Sequence, residues 1–222
     1  PNNAVVVVVG DVDRERALER VRHWFGGIPS GELPLPVTTT ERPQQGERRF
    51  RLRKPGDTRL VLVAWKNPEM THPDSYALDV LGLILGHGRT SRLHRSLVES
   101  GLATEADAAN ETTRDPFLVV ALATAAPDRP LADVEAAILR EAERLRNEPV
   151  SDAELRRAKK QVEAGFLYSK DSIQSLSHQL GYYETVASWR YLEEYPAKIR
   201  ALTAADVQRA AAPYHVADAR PV

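Results

Sequence analysis

The order of apolar and polar residues at the start of the chain predicts one strand followed by one helix. Residues 4–10 are a run of alanine and valine that ends in a glycine, a pattern typical of a buried strand. Either Asp11 or Asp13 can cap the helix that follows, whose apolar residues recur at helical spacing. Gly26 and Gly27 end that pattern, since glycine is common just after a helix.

A proline-rich stretch separates this beginning from the rest of the chain. Residues 28–46 contain four prolines and three consecutive threonines, and they show neither helical nor strand periodicity. We therefore expect an extended linker, placed at residues 36–46. On this basis residues 1–35 are the strand–helix tail of a preceding domain, able to complete the sheet of the next one, and residues 47–222 form the main domain.

The middle of the chain predicts two strand pairs with helices between them. Residues 48–53 alternate charged and apolar side chains, residues 59–66 are a buried apolar run, and the turn between them predicts a hairpin. A helix over residues 75–85 would carry apolar side chains on nearly every face, so we predict that it is the central helix of the core. The predicted elements that follow are a short helix over residues 91–100 and strands over residues 102–113 and 117–124.

The remainder of the chain predicts helices. Ser151 and Glu154 have the spacing of a capping box, and Thr203 with Asp206 resembles one, so a helix is expected to start at each place. The predicted helices cover residues 131–146, the stretch after Ser151, residues 171–185, residues 192–202 and the stretch from Thr203 to Pro213. Strand pairs joined by turns favour an α+β fold, with an antiparallel sheet and helices packed on one of its faces.

Composition narrows the classes of function. Lysine and arginine number 30 and aspartate and glutamate 31 among 222 residues, so the charge balance gives no reason to expect a nucleic acid partner. The absence of cysteine excludes disulfides and cysteine-ligated zinc. The longest apolar run, residues 4–9, is too short to span a bilayer, so we expect no membrane span. The compartment stays open between periplasm and cytoplasm, and the ends at Pro1 and Val222 suggest a piece of a longer protein.

No motif predicts catalysis or metal binding by these residues. A helical zinc site needs two histidines one turn apart and a carboxylate, as in H-E-x-x-H or H-x-x-E-H, and neither motif occurs. Ser91 lacks the G-x-S-x-G context of a serine nucleophile, so we interpret Thr90 or Ser91 as a helix N-cap. The turn after Gly10 lacks the further glycines of a dinucleotide fingerprint. We interpret all six histidines as surface or packing residues: His23, His72, His87, His94, His178 and His215.

Aromatic residues are concentrated late in the chain, at Tyr182, Tyr183, Trp189, Tyr191 and Tyr195. Such side chains can line a groove that binds peptides. Packing between helices is their more common use, and we interpret the group as helix–helix core.

Several segments, taken in order, resemble subunits of insulinase/pitrilysin-type zinc metallopeptidases, the family that includes processing peptidase-like proteins. The beginning of the chain is similar to the end of the first domain of such a subunit, and the rest is similar to the second domain. The segments that carry the resemblance are residues 1–13, 24–29, 73–78, 86–93, 151–164 and 202–207.

The resemblance implies a fold, a partner and a cofactor. Such subunits consist of two similar α+β domains with the mitochondrial processing peptidase-like metallohydrolase fold, and they act as clam-like pairs that enclose unfolded peptides. The family's zinc lies on an H-x-x-E-H helix of the first domain, where the motif glutamate activates the zinc-bound water. That helix would precede Pro1, so the resemblance implies no cofactor in these residues and zinc in the upstream domain of the parent protein.

The resemblance also implies two candidates for substrate contact, Val98 and Thr104. Many members carry an arginine and a tyrosine here, in a pattern like L-R-E-x-x-G-L-A-Y. This chain has Val98 in place of the arginine and Thr104 in place of the tyrosine, in a segment one residue shorter. A valine cannot hydrogen-bond to a peptide, and so the expectation is that a partner subunit supplies the substrate clamp.

The function implied is that of a non-catalytic C-terminal part of a zinc-dependent endopeptidase subunit, forming part of the chamber around the substrate. The expected partners are the upstream zinc-binding domain of the same chain, a second family subunit in a homo- or heterodimer, and a peptide substrate. Two alternatives stay open: a non-enzymatic scaffold, as in the core proteins of respiratory complexes, and a chaperone-like module that binds peptides.

Overall fold

The computed structural model describes residues 2–39, 41 and 44–214. Its helices are α1 (Arg14–Phe25), α2 (Ser75–Gly86), α3 (Leu131–Asn147), α4 (Asp152–Tyr168), α5 (Ile173–Val186), α6 (Tyr191–Ala201) and α7 (Ala204–Tyr214), and its strands are β1 (Leu60–Lys66), β2 (Ala103–Asn110) and β3 (Leu118–Ala125). From residue 59 onward the predicted order of strands and helices is confirmed, including the short helix after Ser91, which is of the π type over His94–Val98.

The chain divides into two compact units. One unit combines Pro1–Pro43 with Ala164–Glu194, and the other combines Gln44–Glu163 with Tyr195–Val222. The second unit contains all three strands together with α2, α3 and α7. It therefore holds the sheet and the helices that cover it.

The sheet is antiparallel, with the strand order β1-β3-β2. Val63 of β1 lies opposite Ala121 of β3, and both are buried on the face that the helices cover. The next cross-strand pair, Leu62 with Leu122, lies on the opposite face and is exposed. One face of the sheet is therefore covered and the other is open among the described residues, which confirms the predicted α+β fold class.

Small residues allow α2 to lie directly against β2. A methyl group added at Gly86 would come within 1.9 Å of the backbone nitrogen of Ala108, and one added at Gly82 within 3.1 Å of the backbone nitrogen of Asn110. Because β2 itself is rich in alanine, its side chains leave room for the helix backbone to approach. This close approach places the central helix against an edge strand of the sheet.

Two further helices complete the core around α2. Val134, Ile138 and Leu145 of α3 are fully buried, and so are Val207 and Ala211 of α7. Their spacing along each helix is the helical period, so each helix turns one apolar stripe inward. The predicted burial of α2 is confirmed, since ten of its twelve residues are buried.

The two predicted capping motifs are formed. The Ser151 backbone N–H donates to Glu154 Oε2 at 2.9 Å, and the Glu154 N–H donates to Ser151 Oγ at 3.3 Å. Thr203 and Asp206 make the same reciprocal pair, at 2.9 and 3.2 Å. These bonds satisfy backbone donors that lack a partner within the helix, and so they fix where α4 and α7 begin.

The prediction of a strand over residues 4–10 is wrong for this structure. Asp13 caps α1 as predicted, accepting from the Arg16 N–H at 2.7 Å, but residues 4–9 pair with no strand in the described part of the chain. Within the same unit, a methyl group at Gly181 of α5 would lie 3.6 Å from Val7. This segment therefore packs beside a helix, and three of its valines, Val5, Val6 and Val8, stay about half exposed.

The predicted hairpin over residues 48–66 is also wrong. Only an isolated bridge at Arg48 marks the first predicted strand, and β1 pairs with β3 instead. A salt bridge holds this segment, since Arg49 donates to Glu135 on α3 at 2.5 and 3.1 Å. Phe50 and Leu52 consequently remain exposed.

The contact between α2 and β2 predicts a sharp difference between two glycine substitutions. We expect Gly86→Ala to lower the free energy of unfolding by about 3 kcal/mol, because the new methyl group would overlap the backbone of β2. Gly165→Ala on α4 is the matched control, since nothing lies within 4 Å of a methyl group there. It should raise stability by up to about 1 kcal/mol, as alanine favours the helix. Urea unfolding followed by circular dichroism measures both, and equal effects would contradict the close approach.

Candidate functional site

The short helix predicted over residues 91–100 forms, but most of it is a π-helical turn, called the π-turn below. The π-turn spans His94–Val98, and its wide pitch is set by the Glu99 N–H, which donates to the His94 carbonyl at 3.0 Å. Ser96 Oγ donates to the Arg92 carbonyl at 2.9 Å, which competes with the regular helical ladder. Ser91 caps this segment as expected, accepting from the His94 N–H at 3.3 Å.

Thr104 lies just beyond the π-turn, where β2 begins. Gly101 has a φ of 71°, a conformation that suits glycine, and it turns the chain into the strand. The pairing register between β2 and β3 shifts between Ala103 and Glu105, so Thr104 is the extra residue of a β-bulge. Its side chain is exposed, and its hydroxyl donates to the Thr124 carbonyl at 3.4 Å.

Val98 thus ends the π-turn, and Thr104 is the bulge residue six positions later. Val98 is half-buried and offers no polar atom, whereas the exposed Thr104 hydroxyl can still accept a hydrogen bond. Irregular backbone of this kind is frequent at functional sites. The arrangement can contact an extended peptide, but it carries no group able to attack or protonate an amide.

A partly buried ion pair anchors the start of this segment to α4. Arg92 Nε and Nη2 donate to the two carboxylate oxygens of Glu154 at 2.9 and 3.3 Å. Burial alone would raise the pKa of Glu154, but hydrogen bonds from Arg92 and Ser151 outweigh it and lower that pKa from 4.5 to about 2. Glu154 therefore serves both the capping box and the attachment of the π-turn.

A second polar network lies where α2 faces β2 and the chain after Glu194. Asp79 Oδ1 accepts from Asn110 Nδ2 at 2.7 Å and from Thr112 Oγ1 at 3.1 Å, and Asp79 Oδ2 accepts from the Tyr195 hydroxyl at 2.8 Å. Burial raises the pKa of Asp79 above its usual value, although these three donors oppose the shift. The carboxylate is thus held by donors from residues up to 116 positions away.

Asn67 extends this network to the end of β1. Its Nδ2 donates to Asn110 Oδ1 at 2.7 Å and to the Glu111 carbonyl at 2.9 Å, and its Oδ1 accepts from the Phe117 N–H at 2.7 Å. Every polar atom of this buried amide is therefore used to join the ends of the three strands. The network holds the sheet together and offers no free group for chemistry.

The described residues contain no group of three or more histidine, aspartate or glutamate side chains that could hold a metal ion. His72 lies 3.8 Å from Asp74, and His94 lies 3.7 Å from Glu99, so each has a single carboxylate neighbour. His23 packs edge-on against Trp24. His215 lies outside the described residues.

The family of the chain follows from its sequence profile. The profile of the family described as peptidase M16 inactive domain matches residues 1–162, which is most of the chain. This chain belongs to the peptidase M16 family. Within that family it matches the inactive domain.

Relatives of this M16 domain include zinc proteases about twice its length. The zinc protease PqqE of Helicobacter pylori is 28% identical over 218 residues, which cover 96% of this chain and 49% of the relative. The mitochondrial-processing peptidase subunit beta of Saccharomyces cerevisiae is 24% identical over 196 residues, covering 80% of this chain and 41% of the relative. The M16 domain therefore spans about half the length of the curated relatives that it matches.

A solved structure shares the fold of the M16 domain. The crystal structure of a protease from Helicobacter pylori superimposes with a TM-score of 0.88 at 25% sequence identity, over 96% of this chain and 52% of that one. The predicted resemblance to zinc metallopeptidases of the processing peptidase type is thereby confirmed. Within the described part of the M16 domain, every helix is too short or too polar to cross a bilayer.

Sequence reasoning missed the two polar contacts of the M16 domain that matter most here. Asp79 is the single acid on an otherwise apolar helix, and this pattern could have indicated a polar partner in the core. Glu154 was recognised as a cap, but its pairing with Arg92 has no local signal.

The aromatic residues predicted as one group form two separate contacts. Tyr183 stacks on Tyr191 at 5.1 Å, whereas Tyr195 lies 5.8 Å from Tyr76.

The interpretation of that group as helix–helix core is therefore only partly right. Tyr191 is buried, whereas Tyr182 and Trp189 are 42% and 37% exposed. A helical stripe cannot accommodate all five rings, because they lie on two helices and the loop between them. Exposed rings of this kind contribute less to the core than the sequence suggested.

The lowered pKa of Glu154 predicts a loss of stability in acid. Its folded-state pKa of about 2 lies below the ordinary 4.5, so its contribution is present above pH 4.5 and is lost as the pH falls toward 2. After a reduction for screening by solvent, the contribution of Glu154 to the free energy of unfolding is about 2 kcal/mol. In Glu154→Gln we expect this acid-dependent part of the free energy of unfolding to vanish. Glu105→Gln, at an exposed position, should keep it, and a wild-type pH profile in Glu154→Gln would contradict the pairing.

The Asp79 network predicts a pH-dependent cost of removing one hydroxyl. Tyr195→Phe should lower the free energy of unfolding by about 2 kcal/mol at neutral pH, because the carboxylate loses a donor. Burial raises the folded-state pKa of Asp79, so it destabilises the carboxylate relative to the carboxylic acid. The decrease in the free energy of unfolding should therefore become smaller as acid protonates Asp79. Tyr182→Phe, with an exposed ring, should change stability by less than about 0.5 kcal/mol. Denaturant titrations at several pH values measure both, and a loss independent of pH would count against the network.

Proposed function

We propose that this chain is the non-catalytic domain of a zinc-dependent endopeptidase, forming part of the wall of a chamber that encloses peptide substrates. The observation that carries the proposal is the match of residues 1–162 to the inactive domain of peptidase M16. The zinc protease PqqE, which is similar along almost the whole chain, supports proteolysis as the activity of the parent protein.

The zinc of the parent protein belongs to a domain upstream of these residues. Hydrolysis of an amide by zinc needs three protein ligands and an open position for water. No such group of ligands is present among the described residues, and the chain spans about half of the zinc proteases that it resembles. The other half of such a protein has room for the missing ligands.

Residues 1–35 are the tail of that upstream domain, residues 36–46 are the linker, and residues 47–222 are the inactive domain proper. The exposure of Val5, Val6 and Val8 supports this division, because a run of β-branched residues is expected to pair with another strand. A strand of the upstream domain is the partner that we propose for it.

A second subunit of the same family completes the chamber, as a homodimer or a heterodimer. The yeast relative is named as a subunit of a processing peptidase, which supports assembly. Val98 and Thr104 face the substrate from the inactive domain, with the Thr104 hydroxyl as the polar contact. The exposed apolar pair Leu62 and Leu122 on the open sheet face supports the same role, since an unfolded peptide exposes apolar side chains.

Mixing the domains tests the proposal. A fluorogenic unfolded peptide is incubated with this chain, with the upstream zinc-bearing domain of the parent protein, and with both together. We expect hydrolysis from the combination only, and we expect a zinc chelator to abolish it. Thr104→Ala should raise KM with little change in kcat, because the contact is to the substrate. Its matched control is Thr113→Ala, whose hydroxyl donates to the Asp115 carbonyl at 2.6 Å in the loop before β3.

Two outcomes would overturn the proposal. Hydrolysis by this chain alone would show that it carries catalytic groups of its own. A stable complex of the two domains that cleaves no peptide and holds no zinc would instead favour the non-enzymatic scaffold.

A further inference from the structure

An open cleft of about 560 Å³ lies between the π-turn, α3 and the start of α4. Its lining residues are Arg92, Arg95, Ser96, Glu141, Arg144, Ser151, Ala153, Glu154 and Arg157. Four guanidinium groups therefore meet two carboxylates, which leaves a net charge of two positive units. Two of the arginines are already paired, Arg92 with Glu154 and Arg144 with Glu141.

The buried arginine of the cleft has an unused donor. The Arg92 side chain is 10% exposed, and its Nη1 atom has no hydrogen-bond partner among the described residues. Glu154 occupies Nε and Nη2 on the other side of the guanidinium. A buried charged donor without an acceptor is unfavourable. Because Arg92 lines the cleft, an oxygen of a ligand bound there can supply the missing acceptor.

Two other arginines of the cleft lack an acidic partner. Arg95 on the π-turn is exposed and makes no ion pair in the described part of the chain. Among the residues that the structure describes, Arg157 on α4 donates only to the Thr90 carbonyl, at 3.3 Å. Ala153, in the first turn of α4, also lines the cleft, and the first amides of a helix have no acceptor within it.

We propose that this cleft binds a phosphoryl group. A phosphoryl group is tetrahedral and can accept hydrogen bonds from the three elements that converge here, whereas a planar carboxylate is matched by a single guanidinium. Its charge at neutral pH, about −1.5 to −2, balances the two positive units left in the cleft. The site is separate from Val98 and Thr104, neither of which lines the cleft.

The test uses inorganic phosphate, pyrophosphate and adenosine monophosphate as probes, with glutarate as a dicarboxylate of similar charge. Each is titrated into the isotopically labelled 222-residue chain at constant ionic strength and followed by NMR. We expect saturable shifts of the Ala153 amide and of the Arg92 Nε signal with phosphate, and weaker or no shifts with glutarate. Tighter binding of adenosine monophosphate than of phosphate would identify a nucleotide as the source of the phosphoryl group.

Three arginine substitutions decide whether the cleft is the site. Arg95→Ala and Arg157→Ala should each weaken phosphate binding about 10-fold, as expected for the loss of one charge-assisted hydrogen bond. Arg140→Ala, exposed on α3 outside the cleft, should leave the affinity unchanged. The proposal is wrong if phosphate binding does not saturate, if all three variants bind alike, or if glutarate binds more tightly than phosphate.

Discussion

The contact between α2 and β2 is the constraint on which the rest of the fold depends. Gly86 and Gly82 let the helix backbone meet the strand backbone, and the alanines of β2 keep that surface flat. With α2 fixed in this way, α3 and α7 can cover the remaining apolar surface. Only residues 99–102 separate the π-turn from β2, so its position follows from the same contact.

Periodicity in the sequence was enough to predict the buried strands and most helices, because their side chains repeat every two or every 3.6 residues. Periodicity failed to predict the local structure where contacts with distant residues determine it. The valine run of residues 4–10 has the composition of a strand but no strand beside it in the described chain. In residues 91–100 the predicted short helix forms, but its π-type turn and the hydrogen bonds of its serine hydroxyls are features that no apolar repeat reveals.

The polar contacts were the least predictable part of the candidate site. Arg92 and Glu154 are 62 residues apart, and Tyr195 and Asp79 are 116 apart, so neither pair leaves a mark in local sequence. Val98 and Thr104 were found only through the resemblance to a family. The structure places Val98 at the end of the π-turn and Thr104 in the bulge of β2, which composition alone could not supply.

We propose that these residues support a peptidase without holding its zinc. The most direct test is the zinc content of the purified chain, measured by mass spectrometry after equilibration with zinc and dialysis into metal-free buffer. The account predicts far less than one zinc ion per chain. One tightly held zinc per chain, released by a chelator and lost on substitution of a histidine, would contradict it.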